Sequence, residues 1–162
     1  MDMTAQVSEV LLYEGEELSL CNEPLELYIE KIPMKVRFTA PHTALWRGYV
    51  GTWAIEADRL YLKSLEATIE GEKGHEEVGM DRVFPEYQNG LFAHWFTGEL
   101  RCPQGALVKY VHGGFGSVYE KDLFFKVKKG VVLDQRVVVN GQAPENAPRD
   151  HHIAALTTIP KE

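Results

Sequence analysis

Apolar residues recur in short runs rich in Val, Leu, Tyr, Phe and Trp, separated by Gly, Asp, Asn or Glu-Gly breaks. Short strands joined by tight turns produce such a pattern. Residues 10–13 and 18–21 flank Glu14-Gly15-Glu16-Glu17 and predict a hairpin. Residues 25–31 alternate Leu25, Leu27 and Ile29 with Glu26, Tyr28 and Glu30, which predicts a strand with one wet face. Residues 36–39 extend the sheet after Pro33. Residues 45–56 read as one long strand, with Gly48 and Gly51 marking a bulge or bend. Ala57-Asp58 turns that strand into a return over 60–65.

Residues 71–79 are polar and acidic and read as a loop, while 66–70 and 82–88 could each hold a helical turn. Strands are expected over 91–102 and 106–112, joined at Pro103-Gln104-Gly105. A last hairpin pairs 117–127 with 131–139 about Lys128-Lys129-Gly130. The fold class is therefore all-β: an antiparallel meander of about ten strands, closed or partly closed as a barrel, with a two-sheet sandwich as the alternative. Residues 1–140 form one domain, and 141–162, broken by Pro144, Pro148 and Pro160, read as a loosely packed tail.

A chain of 162 residues can bury a core without disulfides or structural metal. Its net charge of −7 opposes binding to nucleic acid or to an anionic membrane. The densest basic group, Lys126, Lys128 and Lys129, sits at a turn. No apolar run approaches the length of a membrane span, and no signal core precedes the first strand. Cytoplasmic placement follows, with Cys21 and Cys102 as small buried hydrophobes.

The run Gly113-Gly114-Phe115-Gly116-Ser117-Val118-Tyr119 resembles the glycine-rich loop of protein kinases, a flap over ATP phosphates. The resemblance ends there, because the chain has no His-Arg-Asp and no Asp-Phe-Gly. The run is read as a glycine turn between two strands, with Phe115 as an aromatic anchor.

Of the histidines, His151 and His152 are adjacent and expected to be solvated, and His75 lies among acidic residues. None has the short spacing of a zinc site, so no metal and no cofactor is expected. His94 and His112 would approach each other if their strands paired about residues 103–105, with Glu120 as a nearby carboxylate, giving a candidate catalytic set. Trp46, Arg47, Tyr49, Trp53 and Trp95 supply an aromatic face or cavity lining with one guanidinium. Together with Gly113, Gly114 and Tyr119 they are the candidate ligand-binding residues.

The runs WRGYVGTWAIEADRLYLKSL and LFAHWFTGELRCPQGALVKYVHGGFGSVYEKDLFF resemble small bacterial β-rich proteins, over residues 40–140. Some of these look accessory or immunity-like, which implies binding a partner without catalysis. Three functions follow as expectations. The first is a cytosolic interaction protein with a protein partner. The second is a β-barrel for a small hydrophobic or aromatic ligand. The third is a small enzyme using His94, His112 and Glu120.

Overall fold

The computed structural model describes residues 5–149. Left-handed two-residue turns set the first registers. Glu14 (φ 49°) and Gly15 (φ 79°) join β1 (Glu9–Tyr13) to β2 (Glu16–Leu20), and Leu11 faces Leu18 across the pair. Such a turn matches the twist of the strands it joins. Ala57 (φ 50°) and Asp58 (φ 59°) do the same between β3 (Tyr49–Glu56) and β4 (Arg59–Gly71). β3 also lies against the free side of β1, and there the pairing is parallel, with Leu11 facing Trp53.

β4 is long enough to share its second edge among three partners. β5 (Gly74–Gly79) pairs with it along residues 66–71, β6 (Leu91–Phe92) at Tyr61 and Leu62, and β9 (Val131–Val139) at Arg59. β7 (Gly98–Lys109), β8 (Val118–Lys128) and β9 form an antiparallel meander, with Lys129 (φ 49°) and Gly130 (φ 81°) turning β8 into β9. The result is a mixed sheet of nine strands with its main path ordered β2-β1-β3-β4-β9-β8-β7. The strand ladder is not closed. The chain leaving β2 nevertheless reaches β7: the Cys21 N–H donates to the Arg101 carbonyl (2.8 Å), and the Asn22 side chain bonds Glu99 and Arg101.

The interior is built from Leu11, Leu20, Trp53, Leu60, Leu62, Leu100 and Phe125, all fully or almost fully buried. Each such side chain contributes about 1.5–3 kcal/mol on burial. One mouth of this core is covered by α1 (Leu25–Lys31), where a strand was expected. Leu25 is buried, and Tyr28 and Ile29 pack against the core, an i, i+3, i+4 face. Leu27, which a strand would have turned inward beside Leu25, is exposed. Pro24 at the start of the helix requires no backbone donor.

Other expectations also change. Residues 66–70 are strand rather than a helical turn, and 71–79 form the hairpin of β4 and β5 rather than a loop. The segment 36–39 contributes only one bridge, Phe38 to Ile69. The long strand begins at Tyr49; residues Thr43–Leu45 form a 3-10 turn before it. The helical turn expected over 82–88 divides into α2 (Met80–Val83) and the 3-10 turn Pro85–Tyr87.

The expected turn at Pro103-Gln104-Gly105 is absent: β7 runs straight through it. The register with β8 slips between Gln104 and Lys109, and Gly105 takes φ 85°, so the residues read as a turn make a bulge. The expected tail 141–162 lies partly outside the described residues, as do His151 and His152. Its described part returns along β7 and β8, where the Leu107 N–H donates to the Pro148 carbonyl (2.8 Å).

No described helix is long and apolar enough to cross a membrane.

Candidate functional site

The polar chemistry concentrates where β1 and β3 run parallel. Glu9 shares an inward parity with Leu11, so strand alternation carries a carboxylate into the core, where it is fully buried. Burial raises its pKa, opposed by the Arg47 charge and by N–H groups from Trp53 and Gly51. The donors are close: Arg47 Nη2 and Nε at 2.8 and 3.2 Å, the Gly51 N–H at 2.8 Å and Trp53 Nε1 at 3.0 Å. Gly51 is required here, since a Cβ at that position would stand 2.7 Å from Glu9 Oε1 and 2.8 Å from Trp53 Nε1.

The Arg47 side chain is itself 4% exposed, and its Nη1 has no hydrogen-bond partner among the described residues; Glu23 lies 3.8 Å away. Its guanidinium sits between the rings of Tyr49 (5.5 Å) and Phe115 (5.8 Å). The Tyr49 hydroxyl donates to Glu26 of α1, and burial with neighbouring carboxylates holds the phenol protonated far above its usual range. Burial likewise raises Glu23, against the pull of Arg47.

Above this plug lies the glycine run. Arg101 clasps it: Nη1 donates to the Phe115 carbonyl (2.7 Å), Nη2 to the Ser117 carbonyl (2.8 Å), and Nε to Asp122 (2.8 Å). The Gly113 and Gly116 N–H groups are bonded inside the loop, to Val111 and Gly113 carbonyls. A phosphate cradle needs such groups free and convergent. On the other side, the Gln6 N–H donates to the Gly114 carbonyl, and the Gln6 side chain bonds both the Trp46 N–H and the Thr43 carbonyl. Loop, N-terminal segment and the 43–47 turn are thereby tied into one surface, on which the Trp46 ring stands 61% exposed.

The structure therefore gathers Trp46, Arg47, Tyr49, Trp53, Gly113 and Gly114 at one end of the sheet. Trp95 is near Trp53 (6.4 Å between rings) and donates to the Pro24 carbonyl, beneath α1. Tyr119 belongs to a separate small cluster with Leu107.

The candidate catalytic set is dispersed. His94 precedes β7, and His112 follows it; the intervening twelve-residue strand covers a path of roughly 40 Å. His112 bonds Tyr110, and His94 contacts Phe92 and Trp95. Glu120 accepts the Ala106 and Ala143 N–H groups, which hold its carboxyl below the usual range. Burial lifts the Cys21 thiol to about 11 and the Cys102 thiol higher still, so both are protonated at neutral pH. Among the described residues no group of His, Cys, Asp and Glu could hold a metal.

Sequence reasoning missed Glu9, Glu23, Glu26 and Gln6. Glu9 carried a signal, a charge at the inward parity of an apolar strand; Glu26 became visible only once residues 25–31 were helical. Comparisons with protein-family models, curated proteins and solved structures find no match for this chain.

Proposed function

We propose that the protein is a non-catalytic interaction protein that recognises a protein partner through the glycine run and Trp46. One observation carries this reading. Gln6, Glu9 and Arg101 at this end of the sheet are engaged in internal hydrogen bonds, while Trp46 remains 61% exposed on a backbone pinned by Gln6. Tryptophan on a rigid support is a characteristic binding anchor. The net charge of −7 suits a basic partner. The approach of β2 to β7 through Cys21 and Asn22 supports a partly closed barrel as the frame. Two free thiols support a cytosolic setting, and with it the accessory or immunity-like reading. The small-ligand reading draws less support, since Trp53 and Tyr49 are packed in the core with their polar atoms bonded. The enzyme reading draws less again, given the spread of His94, His112 and Glu120.

The test is affinity capture from host extract with the wild-type chain and Trp46→Ala in parallel, followed by titration of the captured partner. Truncating a tryptophan anchor costs ~2 kcal/mol or more, roughly 30-fold in affinity. Failure to capture any partner, or an affinity indifferent to Trp46→Ala, overturns the proposal.

A further inference from the structure

We infer that β9 is a self-pairing edge, through which two copies of this chain associate by antiparallel strand addition. β9 pairs with β8 on one side, and on the other it meets β4 only at Val131, with the Val132 N–H donating to the Asp58 carbonyl. From Leu133 to Val139 no other strand among the described residues pairs with that side; the Tyr13 hydroxyl of β1 reaches only the Gln135 side chain, donating to its Oε1 (2.9 Å). The Asn140 N–H donates to the Glu120 carbonyl. By the alternation of an antiparallel ladder, Gln135, Val137 and Val139 then turn their N–H and C=O groups to the open side. There the Gln135 N–H donates to Oδ1 of the adjacent Asp134 (2.8 Å), a local bond that strand addition exchanges for the partner's carbonyl. Leu133, Val137 and Val139 are all more than half exposed.

The sequence of the edge selects its occupant. Val131-Val132-Leu133-Asp134-Gln135-Arg136-Val137-Val138-Val139 is self-complementary about Gln135. Two antiparallel copies centred there set Asp134 of each against Arg136 of the other, and Leu133 against Val137. The charged pair falls in the closer, non-hydrogen-bonded position of the ladder. Moving the centre by one residue toward either end sets Arg136 against Arg136, or Asp134 against Asp134. Charges that would deter indiscriminate pairing on an open edge thus disfavour the two neighbouring registers, and only the axis at Gln135 sets Asp134 against Arg136. The existing charges extend it: Arg136 already bonds Glu99 (3.0 Å), and Asp134 stands opposite Lys126 on β8. Signs therefore alternate across the joined sheet. The register slip that leaves Leu133 unopposed on β8 confines the new ladder to a few residues, and the association is correspondingly weak.

Sedimentation of the full chain from about 1 μM to about 1 mM tests this, with a dissociation constant of order 100 μM expected for so small an interface. Asp134→Arg and Arg136→Asp each place like charges across the axis and should weaken the dimer tenfold or more. Mixing the two variants pairs opposite charges again and should restore it, as should the double exchange in one chain. Amide exchange at Gln135 and Val137 should slow as concentration rises. A chain monomeric throughout, with concentration-independent exchange at those amides, overturns the inference; so does a dimer indifferent to the single exchanges.

Discussion

Arg47 and Glu9 show how a charge pair becomes a fixture. Each is almost wholly buried, so neither can lose the other without leaving an uncompensated charge in the core. Arg47→Ala is expected to cost about 3–5 kcal/mol, whereas Glu9→Gln with Arg47→Met should cost less, because the pair's desolvation vanishes with it. Urea unfolding of the three proteins checks the order. The sign with pH follows from the carboxyl. With its folded pKa raised, the folded state holds the proton more tightly than the unfolded chain, so stability falls as pH rises above about 4.5. The deficit of Arg47→Ala should therefore shrink on acidification.

Glu120 behaves oppositely. Its folded pKa is depressed, so its contribution is present above the unfolded value and disappears as pH falls through the folded one. Amide exchange at Ala106 and Ala143, its two donors, should accelerate together over that acid window; exchange unchanged with pH after correction for intrinsic rates would contradict the assignment.

The glycines mark where elements meet. Gly51 lets β3 approach the Glu9 carboxylate, and Gly51→Ala should overpack the plug at a cost of about 1–3 kcal/mol, read as a lowered urea midpoint with unchanged slope. The turns at 14–15, 57–58 and 129–130 were legible in the sequence because local backbone chemistry alone fixes them. Residues 25–31 were not: alternation at 25, 27 and 29 fits a strand, and only packing of Tyr28 and Ile29 against the core selects the helix. Residues 103–105 misled for a related reason, since Pro and Gly mark bulges as readily as turns and β8 supplies a partner that keeps the strand running. The parallel contact of β1 with β3 had no local signal; it arises from a pairing between distant segments, held by Glu9.

At the scale of the whole molecule, Trp46, Gly113 and Gly114 share one surface above the buried Arg47, Tyr49 and Trp53, while the continuous β7 separates the histidines. Trp46, Arg47, Tyr49 and Trp53 stay together because they lie within one short stretch, residues 46–53, beside a turn. The histidine proposal depended on a hairpin, and its geometry went with it. Two sites are proposed: the Trp46 and glycine-run surface, read as the partner site, and the β9 edge, read as the contact between copies. One lies on the segments before β3 and between β7 and β8 and the other on β9, so a variant that weakens one is expected to spare the other.

The most direct measurement of the central claim is amide hydrogen exchange of the full chain with and without its captured partner. Protection confined to residues 43–47 and 112–117, and reduced by Trp46→Ala, is the predicted result. Protection centred elsewhere, such as around His94, with the glycine run unchanged, would contradict it.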